Sequence, residues 1–159
     1  METPPTELRI RAIGVVSSGV RDAGRRDWSG VRSRVELGPG LGESLLGLRD
    51  YSHVWVLGWL HLIPGELRQR RRAHPAGDER LPLQGALALR GGARPNPLAI
   101  TVCELLGVEE PPADRPGEGG ALIVSGLDLV DGTPVLDVKP YIAAYDAVPG
   151  ARLPRWARG

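Results

Sequence analysis

The sequence predicts a mainly β protein: a small, mostly antiparallel β barrel or compressed sandwich with few short helices. Three observations lead there. Short segments alternate between apolar and polar residues with period two. The 22 glycines and 15 prolines among 159 residues interrupt the chain too often for long helices. The regular strand–helix alternation of a parallel α/β sheet is missing.

Residues 8–17 are rich in β formers. Over 31–37, Val31, Ser33, Val35 and Leu37 share one face, and Arg32, Arg34 and Glu36 the other, so this strand has one wet side. Residues 41–48 suit a short helix or turn. Residues 51–62 carry Tyr51, His53, Trp55, Leu57, Trp59 and His61 on one face, and Ser52, Val54, Val56, Gly58, Leu60 and Leu62 on the other. Both faces are largely apolar, which predicts a central strand. Residues 64–82 are Arg-rich and broken by prolines, as in a loop or short helix. Further strands are expected over 85–90, 97–106, 121–127 and 134–139. The last two would form a hairpin at the Asp131-Gly132 turn signal. A Pro/Gly/acid loop fills 108–119, and an irregular arm follows residue 140. The length suits one domain, 1–159, with no extra C-terminal domain.

Composition narrows the function. The formal charge is only +1, too mild on its own to mark a nucleic-acid binder. It is unevenly spread: residues 1–98 hold 15 arginines against 10 acids, whereas 99–159 hold 4 arginines and Lys139 against 9 acids. The run Arg68-Gln69-Arg70-Arg71-Arg72 can gather phosphates, or it can be a solvated loop. Cys103 is the single cysteine and cannot close an intramolecular disulfide. No zinc spacing and no apolar stretch of membrane-spanning length occurs. Met1–Pro5 lacks the opening of a secretory signal. A cytoplasmic protein without metal or membrane partner is expected.

Glu36-Leu37-Gly38-Pro39-Gly40-Leu41-Gly42 fits the glycine pattern of Rossmann-type methyltransferases. Its context does not fit. The preceding strand has a charged face, and the following segment is too short and glycine-broken for a crossover helix. His53 and His61, eight residues apart on one strand, lie roughly 26 Å apart and cannot share a metal.

Two segments are more specific. In Arg90-Gly91-Gly92-Ala93-Arg94-Pro95-Asn96-Pro97, two prolines clamp Asn96, and two arginines flank it as forks for carboxylate or phosphate. Gly126–Tyr141 (GLDLVDGTPVLDVKPY) gathers Asp128, Asp131, Asp137, Lys139 and Tyr141 around the expected hairpin. Together with Asp50-Tyr51-Ser52-His53-Val54-Trp55 and Tyr145-Asp146-Ala147-Val148-Pro149, these segments resemble the TrmO family, also called TsaA-like or YaeB-like. The resemblance runs from about Ile13 to Trp156.

The resemblance implies a small dimeric β barrel and the cofactor S-adenosylmethionine. It implies as substrate the anticodon arm of tRNA, methylated on N6 of N6-threonylcarbamoyladenosine. It places the cofactor at Arg26, Asp27, Trp28, His61, Leu62, Arg90, Leu127, Asp128 and Leu129. The acceptor N6 bears a carbonyl substituent that delocalises its lone pair, so a proton acceptor is expected. Asp131 and Tyr141 are the catalytic candidates, with Asn96 orienting the base. Arg94 and Lys139 are the substrate-binding candidates. Where the family shows G-V-F-A-T-R-S, this chain has Gly85-Ala86-Leu87-Ala88-Leu89-Arg90-Gly91. That departure leaves two alternatives open: a relative that methylates a small molecule or peptide, and a cofactor-binding module without turnover.

Overall fold

The computed structural model describes residues 6–22, 24 and 26–158. The Met1–Pro5 start lies outside them. The described strands are β1 (Gly14–Ser17), β2 (Arg32–Leu37), β3 (His53–Trp59), β4 (Arg72–Ala73), β5 (Gln84–Gly85), β6 (Leu98–Glu109), β7 (Ala121–Ser125) and β8 (Pro134–Pro140). Six of them close a barrel in the order β1-β2-β7-β6-β3-β8, every pairing antiparallel. β4 and β5 form a small separate ribbon. Helical segments are single turns, such as α1 (Ala143–Asp146). The expected fold class is the observed one.

Alternation places the core. Val35 and Ser33 of β2 point inward, and Arg32 and Glu36 outward. On β3, Val54, Val56 and Gly58 are buried, while Trp55, Leu57 and Trp59 are half-buried on the outer wall. β3 is paired along its length with β6 and β8, as its two apolar faces predict. The interior is filled by Val16, Val35, Val54, Val56, Leu122 and Val124, with Cys103 among them. Burial, reinforced by the Asp128 carboxylate, pushes the Cys103 thiol up to about 12. The thiol therefore favours the native state fully below its ordinary pKa near 9, and that contribution is lost as pH rises from 9 towards 12. At pH 8 burial therefore keeps the native thiol protonated. Alkylation of the folded protein at pH 8, followed by mass spectrometry, is expected to leave Cys103 unmodified until denaturant is added.

Three expectations are corrected. Residues 8–13 are not strand; β1 begins only at Gly14. Of residues 85–90 only Gly85 is strand, at the end of β5; a 3₁₀ turn follows over Ala86–Ala88, and Arg94 donates to the Ala86 and Leu89 carbonyls. The largest correction concerns 121–139. β7 and β8 form no hairpin: β7 pairs with β2 and β6, and β8 with β1 and β3, so they stand on opposite walls. The link between them crosses the barrel end and sinks Leu127 and Leu129 into the core, at 0% and 1% exposure. Burying two leucines in a space no strand can fill outweighs the local preference for a two-residue turn.

Candidate functional site

Antiparallel closure gives the barrel two mouths. At one lie the loops 18–31, 60–63, 86–97 and 126–133, since β1, β3 and β7 end there and β2, β6 and β8 begin there. The other holds the Gly38–Gly42 run, in a turn and a 3₁₀ helix beside Pro111. The nucleotide-style glycine motif is therefore packing, far from the loop-rich mouth.

The loop-rich mouth brings together most of the residues singled out in the sequence. The Trp28 loop is fastened to the end of β7, with Ser125 Oγ donating to the Ser29 carbonyl at 3.0 Å and the Gly126 N–H to the Val31 carbonyl at 3.0 Å. Its Trp28 indole is half-buried, with the Arg26 guanidinium 5.3 Å from the ring centroid, a cation–π contact. The Ser29 N–H holds the Asp27 carboxyl below its usual range. Directly after Gly126 comes the crossing segment. Leu127 and Leu129 are wholly covered, so of the three adjacent candidates Asp128 is the one a ligand can reach. Thr101 Oγ1 donates to the Asp128 carboxylate. One residue back on β6, the Ile100 carbonyl accepts from the Arg90 guanidinium at 2.6 Å. Arg90 and Asp128 are thus both tethered to β6.

Further along the crossing, Asp131 is fixed on two sides. Its Oδ1 accepts the Ser18 N–H at 2.9 Å, and its own N–H reaches the Val20 carbonyl at 2.7 Å. The His61 imidazole lies against the next residue: Nε2 is 3.9 Å from where a Cβ on Gly132 would stand. Leu62, beside it, is 56% exposed, an open apolar side chain at the same mouth. Asn96 is exposed at the foot of β6 and lines a separate hollow of about 700 Å³ with Trp59, Leu98, Pro134 and the 6–12 segment.

Of the remaining candidates, Arg94 is spent on its own loop, and Lys139 and Tyr141 lie away from this mouth. Arg94 is turned inward, donating to the Ala86 and Leu89 carbonyls at 3.2 and 2.8 Å, so it shapes its loop. Lys139 sits on the outer wall, paired with Asp137 at 2.9 Å. Tyr141 is at the opposite mouth, its N–H on the His53 carbonyl and its ring centroid 6.0 Å from that of Trp55. Within one chain it does not meet Asp131. The expected gathering of Asp131, Lys139 and Tyr141 dissolves with the hairpin. Sequence reasoning missed Ser18 and Thr101, which hold the two acids. In a strand and its flank they read as β-compatible filler, and only the fold shows their partners.

Similarity decides the family. The model of the tRNA-methyltransferase O N-terminal domain, TrmO_N, matches residues 24–147. The chain belongs to the TrmO family. A relative in Methanothermobacter thermautotrophicus, named as a probable S-adenosyl-L-methionine-binding protein, is 36% identical over 146 residues, covering 89% of this chain and 96% of that one. A mouse tRNA (adenine(37)-N6)-methyltransferase is 42% identical over 106 residues, 65% of this chain but 22% of its own. The solved TrmO of Pseudomonas aeruginosa superposes with a TM-score of 0.68 at 32% identity, covering 92% of this chain and 62% of that one. A further TrmO crystal structure gives 0.70 at 32% identity, with 94% and 62% covered. The chain thus spans about a fifth of the mouse enzyme and under two thirds of the solved TrmO chains. Among the described residues, no group of three or more His, Cys, Asp or Glu is placed to hold a metal ion, and no helix is long and apolar enough to cross a membrane.

Proposed function

We propose that the chain is an S-adenosylmethionine-dependent N-methyltransferase acting on N6 of N6-threonylcarbamoyladenosine beside the tRNA anticodon, in the cytoplasm and as a homodimer. The observation that carries this reading is the loop-rich mouth. Segments from four distant parts of a TrmO-family chain meet there and present an indole, two carboxylates, a guanidinium and an imidazole. That set suits the donor. Trp28 offers a face for its purine, Asp128 an acceptor for its hydroxyls or ammonium, and Arg90 a partner for its carboxylate. Bound there, S-adenosylmethionine supplies an electrophilic methyl group on a sulfonium.

The protein's work is positioning and proton removal. Asp131 is held rigidly through Ser18 and Val20, and its second carboxylate oxygen has no bonding partner among the described residues. That oxygen is free to take the proton of the acceptor nitrogen, whose lone pair is tied up by its carbonyl substituent. Asn96, at the same mouth, orients the acceptor base. Tyr141 takes part only if a second copy delivers it, and the half-exposed apolar wall of Leu98, Ile100 and Leu106 offers a surface for that copy.

The test is incubation of the protein with S-adenosylmethionine and tRNA bearing the threonylcarbamoyl nucleoside, followed by nucleoside mass spectrometry. One added methyl on that nucleoside is expected; its absence would sink the assignment. The dimer has its own test. Asp131→Asn and Tyr141→Phe, each inactive alone, are expected to recover about a quarter of wild-type turnover when co-refolded in equal amounts, since half the dimers then hold one intact shared site. No recovery would place Tyr141 outside the site. A second reading, a donor-binding module without turnover, is favoured by the near full-length match to a relative named only for binding. Donor binding by calorimetry with no methylated nucleoside would select it.

A further inference from the structure

A hollow of about 990 Å³ lies outside the barrel. Its walls are the β4–β5 ribbon with its flanks, the Ala88–Ala93 loop, and the arm Leu153–Ala157. The arm follows the family match, which ends at residue 147.

The hollow adjoins the mouth already described through the Ala88–Ala93 loop, and above all through Arg90. Arg90 lines it and also bonds to the Ile100 carbonyl, next to the Thr101 that holds Asp128. The arginine run supplies most of its charge by division of labour. Arg68 folds back onto the barrel wall, its guanidinium 5.2 Å from the Trp59 ring centroid, and Arg71 donates to the Arg68 carbonyl. Arg70 and Arg72 instead line the hollow and have no ion-pair partner among the described residues. Against these three arginines stands one acid, Glu79, while His74 spends its Nδ1–H on the Leu81 carbonyl. The remaining walls are apolar, and the largest flat surface among them is the half-buried Trp156 indole.

A surplus of positive charge beside an aromatic face suits a flat ring that carries an anionic group, which is the chemistry of a nucleotide. The volume lies at the top of the range for small-ligand pockets, roughly 300–1,000 Å³. We propose that it holds a nucleotide of the RNA substrate next to the acceptor base, with Trp156 stacked on the base and Arg70 and Arg72 on its phosphates. The inference rests on reading the chain as an RNA-modifying enzyme, and it adds a site on the arm that follows the residues matched by the TrmO_N model.

The test uses the full chain and an anticodon stem-loop RNA, with affinity read by fluorescence anisotropy across a salt series. Trp156→Ala is expected to weaken RNA binding by roughly five- to a hundredfold, the range for loss of one base–aromatic stack. Trp156→Phe, which keeps an aromatic face, is expected to stay within about threefold of wild type. Arg70→Gln with Arg72→Gln, at exposed positions that touch no core, is expected to lower the slope of log affinity against log salt by about one to two. S-adenosylmethionine affinity, measured by calorimetry, should stay at the wild-type value in all of them. Wild-type RNA affinity in Trp156→Ala, equal losses in Trp156→Ala and Trp156→Phe, or an unchanged salt slope in the arginine variant would each overturn the proposal. If the wild type binds the donor but not the RNA, the hollow loses its nucleotide while the donor site stands. If it binds RNA with the expected Trp156 dependence but no donor, the methyltransferase reading fails and the nucleotide site survives.

Discussion

Leu129→Ala is expected to lower the stability of the folded chain by about 2–5 kcal/mol, the range for emptying a leucine site in a packed core. Leu129 is 1% exposed and belongs to the main hydrophobic cluster. Its Cδ1 stands 2.6 Å from where a Cβ on Gly58 would be, so β3 has given up a side chain at Gly58 to let this leucine in. A cavity there cannot close cheaply, because both walls are hydrogen-bonded strand. Urea unfolding followed by circular dichroism measures the loss. A second effect should accompany it. Asp128 is the residue between Leu127 and Leu129, so a loosened Leu129 releases the carboxylate that Thr101 holds. Donor affinity is expected to fall under conditions where the barrel is still folded. A Leu129→Ala protein with wild-type stability would mean that the crossing segment does not plug the barrel.

Asp131→Asn is expected to lower methyl transfer by roughly 10²–10⁴-fold, the usual worth of a positioned general base, while leaving the fold almost untouched. The amide oxygen of asparagine can accept the Ser18 N–H as Asp131 Oδ1 does. What asparagine cannot do is take a proton from the acceptor nitrogen. Asp131→Ala separates the two roles from the other side. It should lose turnover to the same degree and also about 1–3 kcal/mol of stability, because the half-buried Ser18 N–H loses its partner. The measurements are kcat at saturating RNA and donor, and the melting temperature of each variant. Near-wild-type kcat in the asparagine variant would reduce Asp131 to a clamp between the first loop and the crossing segment.

The barrel walls were legible because their residues alternate. Val31 to Leu37 declares an inner and an outer face, which β2 keeps, and the two apolar faces of Tyr51 to Leu62 mark β3 as a central strand, which its pairing with β6 and β8 bears out. The segment 126–133 was misread for an equally physical reason. Asp131-Gly132 is a genuine turn, with Gly132 at φ +77°, but a turn signal does not say which strands flank it. Only the burial of Leu127 and Leu129 does, and burial is a property of the whole fold. The same limit applied to the site. Asp128, Asp131, Arg90 and His61 could be named from their motifs and meet at one mouth. The guanidinium of Arg94 could have pointed to a ligand or to its own backbone, and the carbonyls of Ala86 and Leu89 that claim it became available only when 86–90 turned out not to be a strand. Tyr141 was grouped with Asp131 by closeness in sequence, and β8 then carried it the length of the barrel.

Threading an acidic side chain between two sunken leucines has an evolutionary corollary. Asp128 cannot drift independently of the hydrophobic interior that holds Leu127 and Leu129, so this rim of the mouth is locked to the architecture. The arginine-rich ribbon and the terminal arm carry no such burden. A lineage can rewrite them without loss of structural integrity.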